Sequence, residues 1–161
     1  MRSWILASVA ALACLDVSSA AIPSVTVTGG RIEGVVVGEV AAFKGIPFAA
    51  PPIEELRWRP PQPVKPWKGV KRTDAFAPAP IQEPIFAALM GTPLRFSEDC
   101  LYLNVWTPAR DADERLPVMV WVYGGAFAFG ATSLPVYDGA RLARKGGLVV
   151  SVAYRVGALG F

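Results

Sequence analysis

Hydrophobic residues are concentrated in three short runs in the second half of the chain. The most pronounced run covers 117–123, where β-branched and aromatic residues follow one another without polar alternation and end at Gly124-Gly125-Ala126. Such a run is typical of a strand buried on both faces, as in parallel sheets. Similar runs at 101–107 and 148–154 predict two further strands.

A short helix is predicted between the strands at 117–123 and 148–154. Asp138 stands where it can cap a helix that runs to Lys145, and Gly146-Gly147 would end it. A strand, a helix and a strand in succession imply a parallel pair joined by a right-handed crossover. The sequence therefore predicts the α/β class.

The first half of the chain carries a different pattern. Residues 25–28, the Gly29-Gly30 turn and residues 32–43 are typical of a β-hairpin. Prolines recur from Pro47 to Pro84, and because proline lacks the N–H for ladder hydrogen bonds, we predict an extended, irregular wrap rather than sheet. A disordered linker is the alternative, but bulky apolar residues recur through the span and favour an ordered cover.

Residues 1–20 have the pattern of an export signal. Arg2 precedes an apolar stretch at 4–15 that is too short to cross a membrane, and Ser18-Ser19-Ala20 offers small residues for cleavage. The alternatives are a core helix and, because of Cys14, a lipid-anchored protein. We predict a signal peptide at 1–20, a domain at 22–161, and a secreted or periplasmic protein without a further membrane span.

Composition narrows the chemistry. The 161 residues carry a formal net charge of +3, and the basic residues are scattered, so a nucleic-acid partner is not expected. The sequence contains no histidine, which is the usual general base of a hydrolase. Once residues 1–20 are removed, Cys100 is the one remaining cysteine, and no internal disulfide is expected. We predict neither a cofactor nor a metal ion.

The Gly124-Gly125-Ala126 turn is the first candidate for chemistry. Glycines let the backbone turn sharply and present N–H groups at the carboxyl end of the strand, where ligands bind in open α/β sheets. Such a turn can act as an oxyanion hole, although a plain tight turn is the simpler interpretation of these residues alone. A dinucleotide-binding loop is excluded because Phe127 replaces a required glycine, and the Gly-Lys of a P-loop is missing.

Five sequence blocks occur in the order found in one protein family. They are Phe43-Lys-Gly-Ile-Pro-Phe-Ala-Ala-Pro-Pro52 with Leu56-Arg57, Ser97-Glu-Asp-Cys-Leu-Tyr-Leu-Asn-Val-Trp106, Val118 to Phe127, Tyr137-Asp138-Gly139, and Tyr154 to Phe161. With these blocks the chain resembles the N-terminal part of the type-B carboxylesterases, which include the cholinesterases. The resemblance implies an α/β-hydrolase fold, with a mainly parallel sheet and helices on both faces.

The resemblance also implies ester hydrolysis through a serine acyl-enzyme, with a histidine base and an acidic residue that orients it. The serine of this family sits in a Gly-x-Ser-x-Gly elbow, and neither Ser133 nor Ser151 has such flanks. We therefore expect the N-terminal part of an esterase for small-molecule esters, truncated before the nucleophile elbow and inactive alone. The alternatives are a binding or adhesion protein of the same family that has lost the serine, and a fragment without function.

The resemblance assigns the oxyanion hole to the backbone N–H groups of Gly125 and Ala126, joined by an N–H after the serine. Tyr123 stands where many members have histidine, and it is not a base in either case. In the strand order of this fold, the strand at 148–154 would lie between the other two.

A second group of residues takes structural roles from the resemblance. Glu98 would form a buried ion pair with Arg57, with Arg155 or with both, beneath the edge of the sheet. Pro80 stands where many relatives carry the cysteine that pairs with the Cys100 position. Cys100 is therefore expected to be a free thiol.

Overall fold

The computed structural model describes residues 23–84, 88–89, 91–111 and 113–160, so the predicted signal peptide lies outside the described residues. Eight strands lie in the described part: β1 Ser24–Val27, β2 Gly30–Glu33, β3 Val35–Val37, β4 Val40–Pro47, β5 Val70–Arg72, β6 Tyr102–Thr107, β7 Val118–Val122 and β8 Leu148–Val152. A short helix, α1, spans Ala140–Ala143, and 3-10 turns lie at Glu54–Leu56, Pro135–Tyr137 and Gly157–Leu159. No helix among these described residues is both long and apolar enough to span a membrane.

The predicted N-terminal hairpin is divided between two sheets. β1 and β2 pair antiparallel, and β5 adds to β2 in parallel to give a three-stranded sheet. β5 corrects the expectation that the proline-rich wrap contains no sheet, because its three residues lie between prolines and keep their N–H groups for pairing. Trp67 holds the wrap to this sheet, since its backbone N–H donates to the Gly29 carbonyl at 2.9 Å and its indole N–H to the Arg31 carbonyl at 3.0 Å.

The larger sheet has five strands in the order β3-β4-β6-β8-β7. β7 and β8 are parallel, and β8 lies between β6 and β7, so both of these predictions are confirmed. The other three pairings are antiparallel, and over the described residues the sheet is therefore mixed rather than mainly parallel. The reason is the connections: β3 and β4 are joined by a two-residue turn, whereas the segment between β7 and β8 is long enough for a crossover and contains α1.

β7 lies at an edge of the five-stranded sheet, and the burial on both faces that its apolar run indicates is not reached within the described residues. Val118 is 60% exposed, Val120 57% and Val122 58%. The ring of Trp121 packs against Tyr137 with 5.3 Å between ring centroids. The apolar run therefore predicts the strand correctly, but the described residues cover it incompletely.

The core that supports β7 and β8 forms around Trp106 of β6, which is completely buried. α1 packs against it at Gly139, where a Cβ atom would clash with the rings of Trp106 and with Val149. The N-cap of α1 is Gly139 rather than the predicted Asp138, whose carboxylate accepts a hydrogen bond from the Ala140 N–H at 2.9 Å. α1 is also shorter than the predicted 138–145, because the hydrogen bonds tighten to the 3-10 pattern at Lys145 and Gly146.

Candidate active site

The turn that follows β7 has an unusual backbone conformation. Gly125, Ala126 and Phe127 have φ angles of 139°, 51° and 60°. A Cβ atom at Gly125 would meet the Phe129 carbonyl, so only glycine fits there. Ala126 and Phe127 each adopt the left-handed region at a cost of about 1–2 kcal/mol. The Gly125 carbonyl closes the turn by accepting the N–H of Ala128 at 2.9 Å.

The N–H groups of Gly125 and Ala126 donate to no acceptor among the described residues. Both residues border an open groove at the carboxyl ends of β7 and β8, which is lined by Val122, Tyr123, Gly124, Gly125, Ala126, Phe127, Val152 and Tyr154. The side chains of this groove are mainly apolar. Unpaired backbone N–H groups beside an apolar wall can stabilise a negative charge that develops on a bound molecule.

Two tyrosines hold the beginning of the turn. The Tyr123 hydroxyl donates to the Tyr154 carbonyl at 2.9 Å, and the Tyr154 hydroxyl donates to the Tyr123 carbonyl at 2.7 Å. Their rings stack with 4.5 Å between centroids. Burial raises the pKa of Tyr123 well above its ordinary value, so this hydroxyl stays protonated and acts as a donor, not as a base.

Two other segments hold the middle and the end of the turn. The N–H of Gly157 donates to the Phe127 carbonyl at 2.7 Å. The side-chain amide of Gln82, in the proline-rich wrap, forms two hydrogen bonds with the backbone of Gly130. The turn is therefore supported by residues that are distant from it in sequence.

The structure brings Glu98 together with Arg57. The Glu98 carboxylate accepts Arg57 Nε–H at 2.5 Å and Nη2–H at 2.7 Å, which is a bidentate pair. The hydrogen bond from Arg57 lowers the pKa of Glu98. The side chains of Arg57 and Glu98 are 43% and 24% exposed, so the pair lies near the surface and the expected burial is wrong.

Arg155 borders the same small cavity as Glu98 and Arg57, but the structure does not bring it within salt-bridge distance of the Glu98 carboxylate. Its Nη1 atom is buried and has no hydrogen-bond partner among the described residues. The sequence alone could not choose between Arg57 and Arg155 as the partner of Glu98, because both arginines stand at positions where the resemblance implies a partner.

Cys100 is buried and forms no disulfide in the described structure. It lines the cavity beside Glu98 together with Pro80, the residue at the position where relatives carry a partner cysteine. Burial raises the pKa of the Cys100 thiol to about 12. The thiol is therefore neutral at physiological pH and is unsuited to nucleophilic chemistry.

Ser151, one of the two serines considered in the sequence, is not placed as a nucleophile. Ser151 is buried in β8, where its hydroxyl accepts the Asn104 side-chain N–H at 2.9 Å. Sequence reasoning missed Gln82, because a glutamine in a proline-rich loop has no periodicity that would mark it. Within the part of the chain that the structure describes, no cluster of histidine, cysteine, aspartate and glutamate side chains could hold a metal ion.

The family model described as "Carboxylesterase family" matches residues 21–161. The chain is 51% identical to the fumonisin B1 esterase of Sphingopyxis macrogoltabida, over 82% of this chain and 24% of that protein. It is 45% identical to the acetylcholinesterase of Gallus gallus, over 86% of this chain and 20% of that protein. Among solved structures it is similar to a PNB esterase, with a TM-score of 0.81 and 42% identity over 86% of this chain and 29% of that one.

These matches establish the fold class and the share of the relatives' length that the chain covers. The solved relatives are esterases of the α/β-hydrolase fold, so the predicted fold class is confirmed. The chain spans about a quarter of the length of the curated relatives that it matches, 24% and 20% in the two cases above.

Proposed function

The chain belongs to the carboxylesterase family, and from that premise we propose that it is the N-terminal part of a carboxylic ester hydrolase. We propose further that this hydrolase is exported and that the chain supplies its oxyanion hole. Its substrate is a small-molecule ester. The chemistry needs no cofactor, because an activated serine and hydrogen-bond donors suffice for acyl transfer.

The observation that carries this proposal is the turn after β7. The N–H groups of Gly125 and Ala126 have no acceptor among the described residues, and they border an apolar groove. In the proposed reaction a serine attacks the ester carbonyl, and the carbonyl oxygen becomes an oxyanion that accepts these two N–H groups. Because the donors are already in place, little reorganisation is needed when the charge develops.

The nucleophile and its base are assigned to residues outside the printed sequence. This sequence has no histidine and no Gly-x-Ser-x-Gly, so residues 22–161 alone are expected to be inactive. Export is proposed from residues 1–20, which have the pattern of a signal peptide.

The proposal is tested on the complete reading frame and on residues 22–161, with p-nitrophenyl esters as substrates and a fluorophosphonate as a serine label. We expect hydrolysis and stoichiometric labelling of the complete chain, and neither for residues 22–161. A complete chain that lacks the Gly-x-Ser-x-Gly elbow or a histidine, and that hydrolyses no ester, would instead be a binding protein of the family.

The oxyanion role is tested by replacing Ala126 of the complete chain with lactic acid, which exchanges one backbone N–H for an ester oxygen and keeps the methyl group. Loss of one such donor is expected to lower kcat by about 10²–10³-fold with little change in KM. An unchanged kcat would remove Ala126 from the oxyanion hole.

A further inference from the structure

All hydrogen bonds of the Gln82 side-chain amide are to backbone groups. Nε2 donates to the Gly130 carbonyl at 2.8 Å and to the Pro80 carbonyl at 3.0 Å, while Oε1 accepts the Gly130 N–H at 2.8 Å. Both amide hydrogens are therefore donated, and the oxygen is occupied. The amide pairs with the peptide groups of Gly130 much as an adjacent strand would.

Gly130 is a demanding position in the turn. Its φ is 136°, and a Cβ atom there would enter the ring of Tyr123, the residue immediately before the Gly124-Gly125-Ala126 sequence. The two ends of the segment 123–130 are thus in contact with one another. A shift of Gly130 would move Tyr123, and with it the direction of the intervening N–H groups.

The strained residues inside this segment need such support. Ala126 and Phe127 both have positive φ, a conformation that persists only where surrounding contacts over-determine it. Tyr154 fixes the start of the segment and Gly157 the middle, and Gln82 fixes the end. The contact with Gln82 links the turn to the proline-rich wrap, 48 residues away in sequence.

The contact to a proline carbonyl alone does not set Gln82 apart. Gln62 also lies two residues after a proline, and its Nε2 donates to the Pro60 carbonyl at 2.9 Å. The side chain of Gln62 is exposed and, among the described residues, forms no hydrogen bond with the turn after β7, so it is a matched control. The difference between the two glutamines is the pair of bonds to Gly130.

We propose that Gln82 is a positioning residue for ester hydrolysis, which fixes the oxyanion turn by clamping Gly130. The proposal rests on the proposed function, because positioning matters only if Gly125 and Ala126 stabilise an oxyanion. Gln82 itself touches no reacting atom.

The test uses the complete chain with Gln82→Glu and Gln82→Met, beside Gln62→Glu and Gln62→Met. In Gln82→Glu the carboxylate faces two carbonyl oxygens and cannot donate to them. Since misplacement of a reacting group by about 1 Å can cost about 10²-fold, we expect kcat to fall by at least about tenfold in both Gln82 variants, with KM changed by less than about threefold. The Gln62 variants are expected to match the wild type.

Two further readouts separate positioning from a general loss of structure. The ratio of kcat for Gln82→Glu to kcat for the wild type should rise as the pH falls towards the carboxyl pKa of about 4.3, because a protonated carboxyl can again donate. Gln82→Met should show no such rise. Amide hydrogen exchange at Gly130 should accelerate by at least about tenfold in Gln82→Met and remain unchanged in Gln62→Met.

The outcomes are distinguishable. If the wild-type chain hydrolyses esters and the Gln82 variants behave as the Gln62 variants do, the positioning role is wrong and the proposed function stands. If both Gln82 variants lose activity without the pH-dependent recovery or the faster exchange at Gly130, Gln82 has only a general structural role. A wild-type chain that hydrolyses no ester overturns the proposed function and this inference together.

Discussion

The left-handed conformation of Ala126 should be measurable as a stability difference between two neighbouring alanines. Ala126 has a φ of 51°, whereas Ala128, two residues later, does not have a positive φ. Both side chains are exposed, so loss of the methyl group removes little packing at either position. The comparison of Ala126→Gly with Ala128→Gly therefore isolates the free-energy cost of the left-handed backbone at Ala126.

The expected magnitude follows from two opposing costs. Glycine relieves the left-handed penalty of Ala126, which is about 1–2 kcal/mol. It also increases the entropy of the unfolded chain, at a cost of about 0.5–1 kcal/mol. Ala126→Gly should therefore raise the free energy of unfolding by about 0–1.5 kcal/mol, and Ala128→Gly should lower it by about 0.5–1 kcal/mol, where only the entropy cost applies.

The assay is reversible urea unfolding of the complete chain. The slope of the free energy of unfolding against urea concentration should be the same in both variants and the wild type, which shows that the unfolded state is unchanged. The difference between the two variants should be about 1–2 kcal/mol, because the entropy cost is common to both and cancels. Equal destabilisation by both substitutions would refute the strain at Ala126.

Three further predictions concern the pair at Glu98, the thiol and the edge strand. The stabilisation that the wild type shows over Glu98→Gln should be complete at neutral pH and should be lost as the pH falls through the lowered pKa of Glu98; a pH-independent difference would contradict this. In the complete chain, peptide mapping should find Cys100 unlabelled by a disulfide reagent at pH 8 in the native state, since burial raises its pKa to about 12, and labelled in urea. Residues 22–161 expressed alone should aggregate through β7, and Val120→Lys should reduce this, whereas a monodisperse wild-type monomer would exclude it.

The strands of the second half could be predicted because their signal is local. The runs that contain β6, β7 and β8 are apolar over five or six residues, and such runs predict strands whatever surrounds them. The burial of β7 could not be predicted in the same way. The apolar pattern indicates that other parts of the protein must pack against the strand, but not which segment does so.

The errors in the first half have a different physical origin. β5 has three residues and two of them are charged, so it shows no alternation, and its pairing depends on the approach of the wrap to β2. The resemblance placed Glu98 near two arginines, but the contact with Arg57 rather than Arg155 depends on side-chain distances of a few ångströms. The exposure of that pair was equally beyond a sequence pattern.

The turn after β7 depends on both local sequence and distant contacts. Gly124-Gly125-Ala126 predicts a sharp turn from local sequence, yet the positive φ of Ala126 and Phe127 costs free energy that the local sequence does not recover. The compensating contacts come from Tyr154, Gly157 and Gln82, none of which lies in the turn. The direction of the N–H groups is therefore a property of the assembled fold, and a change at Gln82 in the proline-rich wrap can alter the turn although Gln82 lies 48 residues from Gly130 in sequence.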